Sequence, residues 1–406
     1  MPRGLPPLQE NQWDKPKKET DAADPGGPRY SGTGVVRPSG IIGDDVRLLI
    51  GCRSAAGKDL ASFTDALLHG RSGIGPVDLF DVSPFPSHIG AQVRDYSPLD
   101  YFDRADARRL SRTDQFAAVA AEEALGMSGA REHYDPFTVG ICVGAGASGM
   151  IHGEAWLRDR LAGGRGRPGD LRCILPDRTT TALAERVGLW GYQGSITTAC
   201  SSSATAIGWG ADLIATGQLD ACLCGGSDTL SILTYAGFNS LRVVDPEPCS
   251  PFSLGRQGIS LGEGAAFVVL EREETARSRG ARIYGRILGY ALAGEAHHMT
   301  APEPSGSEAA RVMRAALDNA GVSAGEIGWV NAHGTGTPLN DVVESKAMKL
   351  VFGADVKRVP LVSTKGMTGH CLGAAGSIEI VATVTALGAG IIPRTLNFRG
   401  SDPECD

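Results

Sequence analysis

GSITTACSSSATAIGWGADLIATG, residues 194–217, passes from a short β-branched strand through Cys200 into a helix of mostly small residues, Ser, Ala, Gly and Thr. Small residues on every face of a helix mean that it is packed tightly inside a protein rather than laid on its surface. A second stretch, TGHCLGAAGSIEIVATVTALG (368–388), repeats the design: His370 at a helix start, then Ala, Gly and Ser. The two stretches form a weak internal repeat. They predict two similar α/β halves facing each other, each presenting a helix N-terminus to a shared site.

Working outward, apolar strands and helices alternate. The segment QFAAVAAEEAL (115–125) carries a helical apolar stripe, and TVGICVGAG (138–146) reads as a buried strand. DACLCGG (220–226) and GAAFVVLE (264–271) are further strands. After a charged helix over 273–279 the pattern restarts with IYGRILGYALAG (283–294), followed by a helix over 307–321 and strands GWVNAHG (328–334) and VPLVSTK (359–365). Continuous apolar strands alternating with helices predict parallel sheets covered on both faces. Residues 1–40 hold seven prolines, mixed charge and few aliphatic residues, so they are expected to be a disordered tail. Folded sequence is expected from near Ile41, a first half over 41–275 and a second over 276–406.

The net charge of −7 gives no global basic character to suggest nucleic acid. The 55 glycines among 406 residues are about twice the usual share, without a collagen period, and imply close backbone packing. Nine cysteines, at 52, 142, 173, 200, 222, 224, 249, 371 and 405, include no C-x-x-C pair and read as reduced thiols. No apolar run approaches the ~20 residues of a membrane span. A cytoplasmic setting follows, with no membrane partner.

Cys200 ends a strand and opens a helix, where backbone N–H groups stabilise a thiolate. A cysteine taken at random is more often a core residue, but the serines after this one leave room for a ligand to reach sulfur. NAHGTGTP (331–338) puts His333 at a strand end before a glycine-rich turn, where α/β folds bind ligands. STKGMTGH (363–370) adds Lys365 and His370 at the second helix start. Lys365 alone would read as a surface lysine, and His333 alone as either a structural or a functional histidine. Their convergence on a cysteine is the specific signal. DRADARRLSR (103–112) places Arg104, Arg108, Arg109 and Arg112 on successive turns, either a solvated face or a basic stripe for an acidic partner.

Over about residues 41–406 the chain resembles the elongating β-ketoacyl-acyl-carrier-protein synthases. The match is carried by TACSSS around Cys200, HGTGTP around His333, KGMTGHCLGAAGSIE (365–379), GRSGIGPVDLFD (70–81) and SLGEGAAFVVLE (260–271). The resemblance implies a thiolase-like fold, two α/β halves layered α-β-α-β-α. It implies that Cys200 takes an acyl group from acyl carrier protein and condenses it with malonyl carrier protein, with loss of carbon dioxide, in fatty-acid or specialised polyene or polyketide synthesis. His333 and His370 would donate to the malonyl thioester oxygen, with Lys365 and Glu379 ordering the histidines. Thr335 and Thr337 would bind the pantetheine arm, and Ala147 stands where fatty-acid members carry a bulky gate, implying a roomy acyl pocket. Arg108 and Arg109 match a carrier-docking patch. No metal or redox cofactor is implied, the substrates riding on phosphopantetheine, and a homodimer or a heterodimer with a ketosynthase-like subunit is.

The run PFSLGRQGI (251–259) keeps Arg256 but lacks the acids that usually pair with it in the family. The family also continues past the point where this sequence stops, through a Gly-Phe-Gly-Gly-Thr-Asn loop that helps form the oxyanion hole, so impaired condensation is expected of these 406 residues. The alternative is a non-catalytic, chain-length-factor-like partner subunit, against which Cys200, His333 and His370 all count. A thiolase or initiating synthase is a third reading. The second histidine counts against the initiating type, and thiolases carry a second cysteine late in the chain.

Overall fold

The computed structural model describes residues 46–406; the tail over 1–40 and the start near Ile41 lie outside the described residues. Among the described residues ten strands are formed: β1 (Val46–Ser54), β2 (Gly75–Pro76), β3 (Ile89–Gly90), β4 (Val139–Gly144), β5 (Gln193–Ile196), β6 (Ala221–Asp228), β7 (Gly264–Arg272), β8 (Gly285–Arg286), β9 (Val330–Asn331) and β10 (Leu361–Val362). Six make one sheet in the order β5-β4-β6-β7-β1-β8. β9 and β10 pair in parallel, and β2 and β3 antiparallel.

The main sheet is mixed, which corrects the all-parallel expectation. β4 runs parallel to β5 and β6, but β7 is antiparallel to both β6 and β1. A strand buried on both faces is apolar throughout whichever way its neighbours run, so GAAFVVLE carried no sign of its direction. The expected restart over 283–294 is also different: only Gly285–Arg286 is a strand, and it closes the edge of the first sheet beside β1.

Alternate residues of each strand feed opposite layers. Val139, Ile141, Leu223, Phe267 and Val269 pack beneath the helix Arg112–Ser128, which a Ser111–Asp114 capping box starts. Cys142, Cys222, Cys224, Val268 and Leu270 face the helices Ser202–Ala215 and Ala375–Ala389. By length and composition Leu372–Ala389 is apolar enough to cross a bilayer, yet Ile378, Val381, Ala382, Val384 and Ala386 are spent on this core.

The small residues of the repeat are needed for approach. A Cβ on Gly144 would stand 2.2 Å from the Ser203 backbone nitrogen, and one on Gly376 2.8 Å from the Ala204 Cβ. The Ser377 N–H donates to Ser203 Oγ at 2.9 Å across the same contact. Backbone cannot yield there as a side-chain tip can. Gly144→Ala should therefore destabilise by about 1–3 kcal/mol or more, as overpacking does. Gly126→Ala, with nothing within 4 Å in an exposed helical turn, should stabilise by roughly 0.5–1 kcal/mol. Urea melts of the two variants check both signs.

Candidate active site

Cys200 lies in a tight turn, Ala199–Ser201, immediately before the helix Ser202–Ala215. Ala199 holds a left-handed φ of 52°, a costly conformation for a residue with a Cβ. Leu372, two residues after His370, is likewise left-handed at 51°, in the turn Leu372–Ala374 that precedes the second helix. The histidine itself is clamped by main chain: its N–H donates to Ser260 O at 2.7 Å, and its carbonyl accepts from Gly262 N at 3.0 Å. His333 follows β9, its N–H and that of Gly334 donating to Glu344 at 2.6 and 2.8 Å.

These three segments converge. The Cys200 sulfur and a ring nitrogen from each of His333 and His370 lie within 4.8 Å of one another. The two imidazoles meet edge to face at 5.3 Å. Lys365, 1% exposed, forms an ion pair with Glu379 and donates to the His333 carbonyl. Its Nζ also stands 3.2 Å from His333 Nδ1.

That network sets the tautomers. The Leu372 N–H points at His370 Nδ1 at 3.1 Å, and an ammonium can only donate to His333 Nδ1. Each Nδ1 is thus an acceptor, and each neutral ring carries its proton on Nε2. Both rings stay neutral: burial, then the Lys365 charge, drives His333 well below the ordinary histidine range and takes His370 down to about 3. The cysteine and two imidazoles are close enough to share a soft metal ion, but the adjacent ammonium opposes a cation.

Burial raises the Cys200 thiol above its ordinary value; Lys365 opposes that shift and Glu379 adds to it. Desolvation thus works against the thiolate that a helix start favours. Access still singles it out. Among the nine cysteines, all free, only Cys200 and Cys405 are not fully buried.

Thr337 caps the helix Pro338–Phe352 and shares a 2.9 Å hydrogen bond with the buried Thr335. Ala147 packs on an apolar cluster formed by Val77, Leu230, Tyr235, Ile259, Leu261 and Leu372. Phe238, which packs there too, has its ring 6.5 Å from that of His370, so the cluster adjoins the site. Arg256 has two carboxylates after all, Asp402 and, at 3.5 Å, Asp341. Arg104, Arg108 and Arg109 are exposed, but Arg112 is not part of the stripe: it pairs with buried Glu263 and stacks 4.6 Å over Phe116. Sequence reading missed Asp341, Glu344 and Asp228. The first two share the pattern D-x-x-E at the start of a helix after His333; Asp228 is an acid closing an otherwise apolar strand, itself a signal.

Residues 50–276 match the family model for the beta-ketoacyl synthase N-terminal domain, and residues 284–399 that for its C-terminal domain. A 3-oxoacyl-[acyl-carrier-protein] synthase 2 from Synechocystis sp. is 35% identical, covering 88% of each chain. One of the same name from Staphylococcus aureus is 34% identical over 88% of this chain and 91% of its own. Among solved structures, the ishigamide ketosynthase/chain length factor superposes with a TM-score of 0.84 at 34% identity, covering 89% of this chain and 90% of that one. A type II polyketide acyl-carrier protein in complex with its ketosynthase gives 0.80 at 28% identity, over 90% of this chain and 91% of that one.

The depressed histidines make acid sensitivity testable. A histidine whose folded value, about 3 for His370, lies below its unfolded one stabilises the fold fully above about pH 6.5. That stabilisation is lost as pH falls toward the folded value, at up to about 1.4 kcal/mol per pH unit. His370→Asn keeps an acceptor for the Leu372 N–H and should lose less stability than the parent between pH 7 and 5. Equal losses in urea melts at the two pH values would refute the assignment.

Proposed function

Because the chain belongs to the β-ketoacyl synthase family and is an acyltransferase of that family, we propose that it condenses acyl-acyl-carrier-protein with malonyl-acyl-carrier-protein to 3-oxoacyl-acyl-carrier-protein. The observation that carries the reading is the meeting of one accessible thiol with two neutral imidazoles, each holding its proton on Nε2. First, Cys200 sulfur attacks the acyl thioester; the carrier's pantetheine thiol leaves with the proton that Cys200 gives up. Malonyl thioester then enters. Its carboxylate departs as carbon dioxide, and the electron pair of the broken C–C bond becomes an enolate whose oxygen the two Nε2–H groups receive. Donors fixed in advance cost no reorganisation when that charge develops. The enolate carbon attacks the Cys200 thioester, whose sulfur leaves and is reprotonated from water. Lys365, paired with Glu379, holds His333 in this tautomer and the Leu372 N–H holds His370, Ala147 borders the acyl pocket, and Thr335 and Thr337 offer hydroxyls to the pantetheine arm. The substrates ride on phosphopantetheine, and the chemistry draws its driving force from decarboxylation without a further cofactor.

The presence of Cys200 in the assembled site does not favour a non-catalytic partner subunit. Two surfaces suit the partners. Arg108 and Arg109, together with Arg167, Arg172 and one acid, Asp170, surround a 130 Å³ recess, a mainly basic face that suits an acidic carrier protein. Strand β5 is a sheet edge with Trp190, Tyr192 and Trp209 exposed beside it, apolar cover that a second copy or a ketosynthase-like subunit would supply. Nine free thiols suit a reducing cytoplasm.

Incubation with acyl carrier protein followed by proteolysis and mass spectrometry should find the acyl mass on Cys200 alone. Cys200→Ala should abolish transfer. His333→Ala and His370→Ala should still acylate while carbon dioxide release from malonyl carrier protein falls by about 10²-fold or more, the cost of one oxyanion donor. Release at the parent rate in both variants would remove the histidines from that role.

Charge reversal tests docking separately. Arg108→Glu with Arg172→Glu should raise KM for carrier-borne acyl groups about tenfold at low salt, a gap that narrows as salt screens it. KM for a short acyl-N-acetylcysteamine thioester should not change. An equal effect on both substrates would place the lesion in the site rather than on the docking face.

A further inference from the structure

Asp228 ends β6 with its side chain wholly buried, and the oxygens of its carboxylate take hydrogen bonds from four backbone amides. Oδ1 accepts from Ala147 and Ser148, both at 2.9 Å. Oδ2 accepts from Gly146 at 2.6 Å and also from Gly373 at 2.6 Å. A single oxygen therefore bridges two loops: the one that carries Ala147 at the acyl pocket, and the turn that follows His370. The loops are in direct contact, since a Cβ on Gly373 would fall 2.4 Å from the Gly146 nitrogen.

We infer that Asp228 is a positioning residue that locks the wall of the acyl pocket and the His370 turn into one register, so that the chain seated in the pocket influences the decarboxylating histidine. This rests on the condensing-enzyme reading above. The route is short. Next to Gly373 is Leu372, whose N–H fixes His370 Nδ1 and whose side chain packs on the same apolar cluster as Ala147. Both loops are strained where they meet the carboxylate, with φ at 48° for Ser148 and 51° for Leu372. Such conformations persist only where the surroundings over-determine them, and four charge-assisted bonds to one group do so. The amides oppose the burial, yet desolvation still lifts the carboxyl to about 6. A group that costly to ionise, with no ion pair among the described residues, is expensive as mere loop cement.

Asp228→Asn keeps the shape but turns an NH₂ toward two amides. Acylation of Cys200 by a short acyl-acyl-carrier-protein should stay within about twofold, while carbon dioxide release by the acyl-enzyme should fall by about tenfold, the loss of one charge-assisted bond. The preference among acyl chain lengths should flatten. Asp228→Glu, which keeps the carboxylate, should recover part of the release rate. ¹⁵N NMR of the histidines should show His370 as the Nε2–H tautomer in the parent and as a mixture in Asp228→Asn. A folded Asp228→Asn with parental release, chain-length profile and tautomer overturns the proposal; so does one that loses acylation and release in equal proportion. Should Asp228→Asn not fold, Gly146→Ala decides, because its Cβ would meet Asp228 Oδ2 at 3.0 Å and press on the bridge from the other side. Unchanged release and tautomer in that variant overturn the proposal equally. A parent inert toward acyl-acyl-carrier-protein would instead defeat the functional reading, and the tautomer comparison would still decide the clamp.

Discussion

The approach of two helix starts, with Gly376 against Ala204 and Ser377 bonded to Ser203, is the constraint from which the site follows. Cys200 and His370 each stand just before one of these helices, so the distance between helix starts sets the distance between sulfur and imidazole. A larger side chain on either helix would part them. The cost is a core of Ala, Gly and Ser, which gains little from burial per residue. The sheet compensates by being apolar on both faces, from Leu48 and Ile50 to Phe267 and Val269.

Within that frame a buried ammonium arranges the charges. Lys365 is balanced by Glu379, which burial alone would push toward the neutral acid and which Lys365 pulls back. Burial, with the same positive charge added to it, keeps both histidines neutral, and the ammonium turns His333 so that Nδ1 accepts. A pair of imidazolium rings would be stronger donors, but two cations beside Lys365 in a desolvated pocket could not be sustained. The site accepts weaker donors held in fixed positions. Removing Glu379 would leave the ammonium uncompensated, so the pair belongs to the tautomer control as much as to stability.

Much of this was legible in the sequence, and the limits have physical causes. Cys200, His333, Lys365 and His370 stand at strand ends and helix starts that small residues mark, so local pattern located them. Arg112 was misplaced because a stripe of arginines does not reveal which one turns inward to Glu263 and Phe116. The reversal of β7 was hidden by its uniform apolarity, and the missing acids near Arg256 were supplied from afar by Asp341 and Asp402. Partners that come together only by tertiary folding leave no periodic trace.

Asp228 shows why the hidden residues matter to the chemistry. A turn that must present an imidazole cannot be held by the imidazole's own bonds, since those are needed for its tautomer. Leu372 gives its N–H to His370, and its left-handed backbone then needs restraint from the next amide, at Gly373. A side chain able to reach that amide from the sheet must be short, buried and acceptor-only. It must also sit at a strand end, where the loops begin. Aspartate at the end of β6 meets each of these demands, and its second oxygen is then free to anchor the Ala147 loop. Bracing the turn after His370 and the loop that carries Ala147 thus falls to one group for reasons of reach alone.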